Sequence, residues 1–194
     1  MNSANIHHTR SLYIDLELSC WLGPPPAGFA NNIIQIGLVE VDLVKLEIRR
    51  QHKYYVRPKQ YEISPYCTKL TGIRAEDIVK LGHPISEVMA TIQKNFGPMN
   101  KMCFAWGNDN SAIIGECAAA GIPNPFGKTI IDLGTLFRGT FLMKNRMKLK
   151  HALEYLEIPF EGRAHDALVD AKNTAMLHLE MIRRLRGTKI GPEC

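Results

Sequence analysis

Three segments in the first third of the chain carry the apolar pattern of β-strands. Between residues 11 and 18, apolar side chains occupy every second position, and Asp15 and Glu17 fall between them. This period of two predicts a strand that carries both carboxylates on one face. Residues 33–41 and 48–56 predict two further strands joined by a short turn, so we expect an antiparallel meander.

The apolar spacing becomes helical further along the chain. Apolar side chains recur at intervals of three and four within residues 85–96, and Gly97 follows where a helix C-cap is expected. Short apolar runs at 102–106 and 129–133 predict buried strands, and residues 110–120 between them predict a helix. Because strands here alternate with helices, parallel pairing is expected.

Two helical patterns close the chain, at residues 149–156 and, over a longer stretch, at 171–185. The chain shows no internal repeat and no low-complexity tract. We therefore predict one mixed α/β domain over residues 11–186, with flexible ends at 1–10 and 187–194.

The amino-acid composition says little about which functional class the protein belongs to. The 194 residues are 45% hydrophobic and 22% charged, as in one compact domain. The net charge of +5 is compatible with a polyanionic partner, although so small an excess is common in proteins that bind none. The five cysteines form no CxxC spacing, which indicates reduced thiols. With no apolar run of signal-peptide or membrane-span length, we expect a cytoplasmic protein without a membrane partner.

The two carboxylates of the first strand are the first candidates for chemistry. Asp15 and Glu17 should leave the strand on one face roughly 6–7 Å apart along it. A hard cation can bind between such groups, and without one their charges would raise each other's pKa. An exposed strand edge is the alternative, and for the pair alone it is the preferred interpretation.

Three further residues are candidates for the same site, although each one taken alone has a structural explanation. Asp109 follows the strand at 102–106, at an edge where ligands bind in α/β sheets, although an aspartate there also serves as a helix N-cap. Asp170 lies about one turn inside the last helix on a stripe of small residues, where an unpaired carboxylate is costly to bury. His165 precedes that helix and can approach the same point, although a capping contact or an exposed side chain would explain it alone.

Several short motifs follow one another in a characteristic order. They are Tyr13-Ile14-Asp15-Leu16-Glu17, Asn32-Ile33-Ile34-Gln35-Ile36-Gly37, Trp106-Gly107-Asn108-Asp109 and His165-x-Ala167-x-x-Asp170. Their order and spacing resemble the DEDDh 3′→5′ exonucleases of the DnaQ-like family. Cys67-Thr68-Lys69-Leu70-Thr71-Gly72-Ile73 is similar to the Eri1-like and KapD-like branch. The resemblance extends from about residue 11 to about residue 185. Relatives often carry glutamate where this chain has Asn32 and Gln35, neither of which belongs to the metal-binding set.

The resemblance implies an RNase H-like fold with a mixed five-stranded sheet flanked by helices. It also implies that four carboxylates hold two Mg²⁺ or Mn²⁺ ions: Asp15, Glu17, Asp109 and Asp170. Two such ions stabilise the entering and leaving oxygens of an in-line displacement at phosphorus. His165 would take the proton from the attacking water, since a histidine can accept a proton near neutral pH.

The resemblance further places the substrate. Glu17 and the backbone of Leu18 would contact the terminal 3′-hydroxyl, and Leu70 and Trp106 would flank the terminal base. For Leu70 and Trp106 a core position is at least an equal alternative. The expected activity is 3′→5′ hydrolysis of RNA with release of nucleoside 5′-monophosphates, and the alternatives are a DNA proofreading or repair exonuclease and a non-catalytic RNA-binding module.

Basic residues offer a path for the substrate phosphates. One group is Lys144, Arg146, Lys148 and Lys150, and a second is Arg183, Arg184 and Arg186. A solvated helix face is the alternative for both groups, and for the second group it is preferred. The oligomeric state stays open.

The third aspartate of the set has two candidate positions. Relatives commonly place two residues between the glycine of the Trp-Gly motif and this aspartate, a count that lands on Asn110. In KapD-like relatives, however, a cysteine lies eight residues after the aspartate, and Cys117 lies eight residues after Asp109. The helical register therefore favours Asp109.

Overall fold

A computed structural model describes residues 9–59 and 62–187 and contains one mixed sheet of six strands in the order β4-β3-β2-β1-β5-β6. The strands are β1 Arg10–Leu18, β2 Ile33–Asp42, β3 Glu47–Val56, β4 Gly82–His83, β5 Met102–Ala105 and β6 Ile131–Asp132. β1, β2 and β3 pair antiparallel, whereas β5 lies parallel to β1 and to β6. The predicted meander and parallel pairing are confirmed. Most of both predicted flexible ends, 1–8 and 188–194, lies outside the described residues.

The sheet differs from the prediction in its smallest elements. The expected mixed sheet flanked by helices is confirmed, but among the described residues it has six strands where five were expected. The sixth is β4, whose two residues pair parallel with Tyr55 and Val56 at the end of β3. Two residues carry no periodic signal, because alternation needs at least four positions to be seen.

In the part of the chain that the structure describes, seven α-helices flank the sheet. They are α1 Pro65–Thr71, α2 Ala75–Leu81, α3 Ile85–Phe96, α4 Asp109–Ala120, α5 Leu133–Thr140, α6 Leu149–Tyr155 and α7 Ala167–Gly187. The prediction for residues 85–96 is confirmed, and Gly97 caps α3 in the left-handed region at φ 52°. α6 confirms the helix predicted at residues 149–156, whereas α1, α2 and α5, of seven or eight residues each, were not predicted. Within the described residues, no helix has the length and apolar character needed to cross a membrane.

The two faces of the sheet pack against different helices. Leu12 and Ile14 of β1 face the core shared with α3 and α4, whereas Tyr13 faces the core shared with α5, α6 and α7. The Tyr13 hydroxyl forms a hydrogen bond of 2.8 Å with Nδ1 of His178 in α7. Because side chains alternate along a strand, Asp15 lies on the same face as Tyr13. α7 therefore covers the face that carries the carboxylates.

The last turns of α7 are held against the sheet by arginines. Arg183 and Arg186 donate to the carbonyls of Leu46 and Leu43, at the turn between β2 and β3. Arg184 donates to the carbonyl of Leu156 at 2.8 Å. The preferred expectation for these arginines, a solvated face, was therefore incomplete, because exposed guanidinium groups here also bind backbone carbonyls.

Candidate active site

The carboxylates of β1 lie opposite two residues of β2 that receive the start of α7. Asp15 pairs with Gly37 and Glu17 pairs with Gln35 in the antiparallel register. A Cβ on Gly37 would lie 2.1 Å from the carbonyl oxygen of Ala167, so the helix backbone rests directly on the glycine. The buried Gln35 Oε1 accepts the Ala167 N–H at 2.8 Å. The first residue of α7 is thus fixed beside both carboxylates.

His165 and Asp170 are placed by the entry to α7. His165 adopts a left-handed backbone conformation with φ 63°, which is unusual for a residue other than glycine. Its N–H donates to Asp170 Oδ2 at 2.9 Å. One ligand atom each of Glu17, His165 and Asp170 lies within 4.8 Å of the others. β1 and α7 therefore bring these three predicted residues together.

Asp109 joins the cluster from the third element. It is the first residue of α4, and its buried Oδ2 has no hydrogen-bond partner within the part of the chain that the structure describes. Its charge raises the pKa of both Asp15 and Glu17. The neighbouring Asn110 also has a buried unpartnered Oδ1, but its amide donates to the carbonyl of Lys128 at 3.0 Å. Asp109 thus brings a fourth carboxylate to the cluster.

Burial and like charges raise the pKa values of the four carboxylates. Burial is the largest cause for each, and it raises the pKa of Glu17 to about 8 and that of Asp109 to about 6, with help from neighbouring acids. The pKa of Asp15 is raised by burial and then by Asp109, Asp170 and Glu17. For Asp170, burial outweighs the lowering effect of the His165 N–H on the pKa.

Such a cluster fits a divalent cation. Four crowded carboxylates are costly to ionise together unless a positive charge lies between them. Carboxylate oxygens are the ligands that suit Mg²⁺ and Mn²⁺. Asp109 Oδ2 has no hydrogen-bond partner among the described residues, so this oxygen is available as a metal ligand. The cluster can therefore hold a divalent metal ion.

Comparison with known proteins decides the family. The family model RNase_T, described as Exonuclease, matches residues 12–178. The chain belongs to this exonuclease family. The predicted membership of an exonuclease family is confirmed, and the match includes all of the residues that form the cluster.

Relatives of this exonuclease family are similar over most of the chain. The 3′-5′ exoribonuclease 1 of Rattus norvegicus is 28% identical over 195 residues, which cover 94% of this chain and 55% of the relative. The chain spans about half the length of the first curated relatives that match it, between 52% and 55%.

Two solved structures share the fold. The nuclease domain of 3′hExo, described as a DEDDh family member bound to rAMP, has a TM-score of 0.84 at 24% identity, covering 93% of this chain and 95% of that one. A 3′-exonuclease structure described by its 3′-end specific recognition of a histone mRNA stem-loop has a TM-score of 0.79 at 26% identity. It covers 91% of this chain and 83% of that one. The RNase H-like fold of this exonuclease-family chain is thereby established.

The predicted substrate-binding residues lie around the carboxyl end of β1. Leu18 is its last residue, and its carbonyl accepts the Cys67 Sγ–H of α1 at 3.8 Å. Leu70 lies in the same helix and is half-buried. Arg163 donates to the carbonyls of Lys69 and Leu70, which ties α1 to the loop that carries His165. The motif at residues 67–73 therefore borders the cluster of this exonuclease-family chain.

Trp106 packs against the core and forms a hydrogen bond to the backbone. Its ring packs against the core under α5, in edge contact with Phe137 at 5.8 Å between centroids. Its Nε1–H donates to the carbonyl of Met147 at 3.2 Å. These contacts favour the core alternative for Trp106, and contact with a terminal base stays a prediction.

Two acidic residues that lie within motifs of the sequence, but to which the sequence assigned no role, adjoin the cluster. Asp166 precedes α7, and its charge raises the pKa values of Asp15, Glu17 and Asp170. Asp132 ends β6, raises the pKa of Asp109 and accepts from Arg146 at 2.9 Å. Asp166 stands beside His165 in the motif, so its adjacency was the one available signal.

Proposed function

We propose that this chain is a metal-dependent 3′→5′ exonuclease that hydrolyses RNA from its 3′ end and releases nucleoside 5′-monophosphates. The observation that carries the proposal is the convergence of β1, α4 and the start of α7 on one acidic cluster beside His165. Membership of the exonuclease family supports the reaction class.

The metal-binding set we propose is Asp15, Glu17, Asp109 and Asp170, with two Mg²⁺ or Mn²⁺ ions. When bound, such a pair of cations polarises the phosphate and stabilises both the entering and the leaving oxygen. The role of the protein is to hold the four carboxylates in place around the cations. The unpartnered Asp109 Oδ2 and the rigid attachment of α7 to Gly37 serve that role.

His165 is the proposed general base. Its backbone N–H is occupied by Asp170, while its exposed ring stays next to Glu17, where it can take a proton from water. Glu17 and the backbone of Leu18 would receive the terminal 3′-hydroxyl, and Leu70 and Trp106 would flank the terminal base.

RNA is the proposed substrate because the curated relative is an exoribonuclease and the resemblance at residues 67–73 is to RNA-degrading relatives. An exonuclease that acts on DNA is the second candidate, since the same carboxylates and histidine can hydrolyse either RNA or DNA. The cytoplasmic location predicted from the sequence stays a prediction.

The test is cleavage of 5′-end-labelled single-stranded RNA and of the matching DNA. We expect a ladder shortened from the 3′ end of the RNA in Mg²⁺, arrest by EDTA, and recovery when Mg²⁺ is restored. Asp109→Asn should abolish cleavage, whereas Asn110→Ala is the matched control because its amide binds the Lys128 carbonyl.

Each other outcome overturns a named part of the proposal. Cleavage that persists in EDTA would refute the metal, and faster cleavage of DNA would refute the RNA preference. RNA binding without cleavage in Mg²⁺ or Mn²⁺ would favour the binding module. Inactivation by Asn110→Ala rather than by Asp109→Asn would move the third carboxylate site by one residue.

A further inference from the structure

A lysine lies in the same row of the sheet as the first carboxylate of the site. Asp15 pairs with Gly37, and Gly37 pairs with Lys53 on β3. Residues paired in this way point to one face, and neighbouring strands are about 4.8 Å apart, so Lys53 stands roughly 10 Å from Asp15. Between them, Gly37 leaves room for the start of α7.

Lys53 reaches across that space to the entry of α7. Its Nζ lies 2.5 Å from Asp166 Oδ2, and the two side chains are only 28% and 23% exposed. The other carboxylate oxygen of Asp166 accepts the N–H groups of Leu168 and Val169, as an N-cap does. The Asp166 carbonyl accepts the Asp170 N–H at 2.9 Å. One ion pair thus anchors the segment that carries His165 and Asp170.

The negative charge of Asp166 also acts on the proposed metal ligands. It is a fifth carboxylate beside the four proposed metal ligands, and it lies close enough to act on three of them. Lys53 is its ion-pair partner, and the described residues show no second one. Without Lys53, this carboxylate would add a negative charge beside the site.

We propose that Lys53 is a positioning residue of the exonuclease site. Through Asp166 it fixes the start of α7, and it keeps the Asp166 carboxylate turned away from the bound cations. The inference rests on the proposed function. Loss of Lys53 frees Asp166 to turn toward the metal, so the site binds the cation more tightly and cleaves more slowly, because His165 is displaced.

The experiment compares Lys53→Met, Asp166→Asn and the double variant in the whole chain. Asparagine is also a good N-cap, so Asp166→Asn removes the charge and retains the cap. The readouts are the Kd for Mn²⁺ by calorimetry without RNA, kcat and KM on single-stranded RNA, and Tm. Lys172→Met is the matched control, since it breaks the Lys172–Glu161 pair of 2.6 Å elsewhere on α7.

The expected pattern separates charge from packing. Lys53→Met lowers the Kd for Mn²⁺ roughly tenfold, as one nearby like charge shifts a carboxylate by about one pKa unit. It lowers kcat by about tenfold and leaves KM unchanged, since the substrate surface is intact. The double variant returns the Kd to within about threefold of wild type, because no free carboxylate is left beside the site. Its kcat recovers only in part, because the ion pair that anchors the start of α7 is still absent, and Lys172→Met changes neither value.

Three results would overturn the inference. They are a Kd and kcat of Lys53→Met equal to those of Lys172→Met, a lowered Kd that persists in the double variant, and tighter Mn²⁺ binding by Asp166→Asn than by wild type. If Lys53→Met does not fold, the Kd of Asp166→Asn for Mn²⁺ still tests the inference. Lys53→Arg is expected to preserve both the Kd and kcat. A wild-type chain that binds Mn²⁺ but cleaves no RNA would overturn the proposed function alone, because the Kd series still tests Lys53.

Discussion

Replacing Gly37 with alanine tests whether the contact of α7 with β2 positions the site. The added Cβ would lie 2.1 Å from the Ala167 carbonyl oxygen, 2.2 Å from its carbon and 2.4 Å from the Leu168 nitrogen. All three are backbone atoms, so no side chain can turn away to relieve the overlap. The helix start must instead retreat from the sheet, and His165 and Asp170 retreat with it.

The size of the effect follows from the overlap. An ordinary contact of a Cβ begins at 3.4 Å, so the Ala167 backbone has to move by roughly 1 Å. Overpacking of this kind costs about 1–3 kcal/mol, which for a domain of this size lowers Tm by roughly 2–12 °C. A displacement of about 1 Å in a catalytic group can cost on the order of 10²-fold in rate. We therefore expect a modest loss of stability with a large loss of cleavage.

Thermal unfolding and single-turnover cleavage of labelled RNA measure the two effects. Gly115→Ala is the matched control, because Gly115 lies inside α4 with nothing within 4 Å of an added Cβ. In a helix this change stabilises by about 0.5–1 kcal/mol, so its Tm should rise while cleavage is unchanged. Wild-type Tm and wild-type rate for Gly37→Ala would refute the claim that this contact positions the site.

Two further changes test the base and a buried ion pair. His165→Ala should slow single-turnover cleavage on the order of 10²–10⁴-fold with RNA affinity preserved, and a rate within about threefold of wild type would contradict the role of base. Glu40 is 2% exposed; burial alone would raise its pKa, but the Arg50 hydrogen bond of 2.6 Å and the charges of Arg50 and Lys101 lower it. A lowered pKa stabilises the fold above the unfolded value of about 4.3, and this contribution disappears as the pH falls through the folded value. Urea unfolding should therefore show Glu40→Gln less stable than wild type at pH 7, by about 1–3 kcal/mol, and an equal gap at pH 3 would contradict the pair.

The long elements could be predicted from the sequence because their patterns repeat. β1 shows alternation over its whole length, and α3 shows apolar spacing over three turns before Gly97. The short helices gave no such pattern. α1 begins at Pro65 after the capping Ser64 and ends at Gly72, so only seven residues lie between its signals. Residues 67–73 were therefore recognised by resemblance to a family and not as a helix.

Some residues of the candidate site could be predicted from the sequence pattern, and others could not. Asp15 and Glu17 share a face because the strand has a period of two, and this needs no knowledge of tertiary structure. The choice between Asp109 and Asn110 turns on a single residue of loop length. The spacing to Cys117 favours Asp109, and the position of the Asp109 carboxylate beside Asp15 and Glu17 supports the same choice.

The relation of Lys53 to Asp15 has no counterpart in the sequence, because it depends on two strand registers at once. A shift of one residue in either pairing would place Lys53 and Asp15 on opposite faces of the sheet. The register between β1 and β2 places Gly37 opposite Asp15, and the register between β2 and β3 places Lys53 opposite Gly37. Glycine is needed at the middle position because α7 rests there, and the lysine is long enough to reach over it to the helix. Lys53 is thus separated from Asp15 by 38 positions in the chain but by the single strand β2 in the sheet.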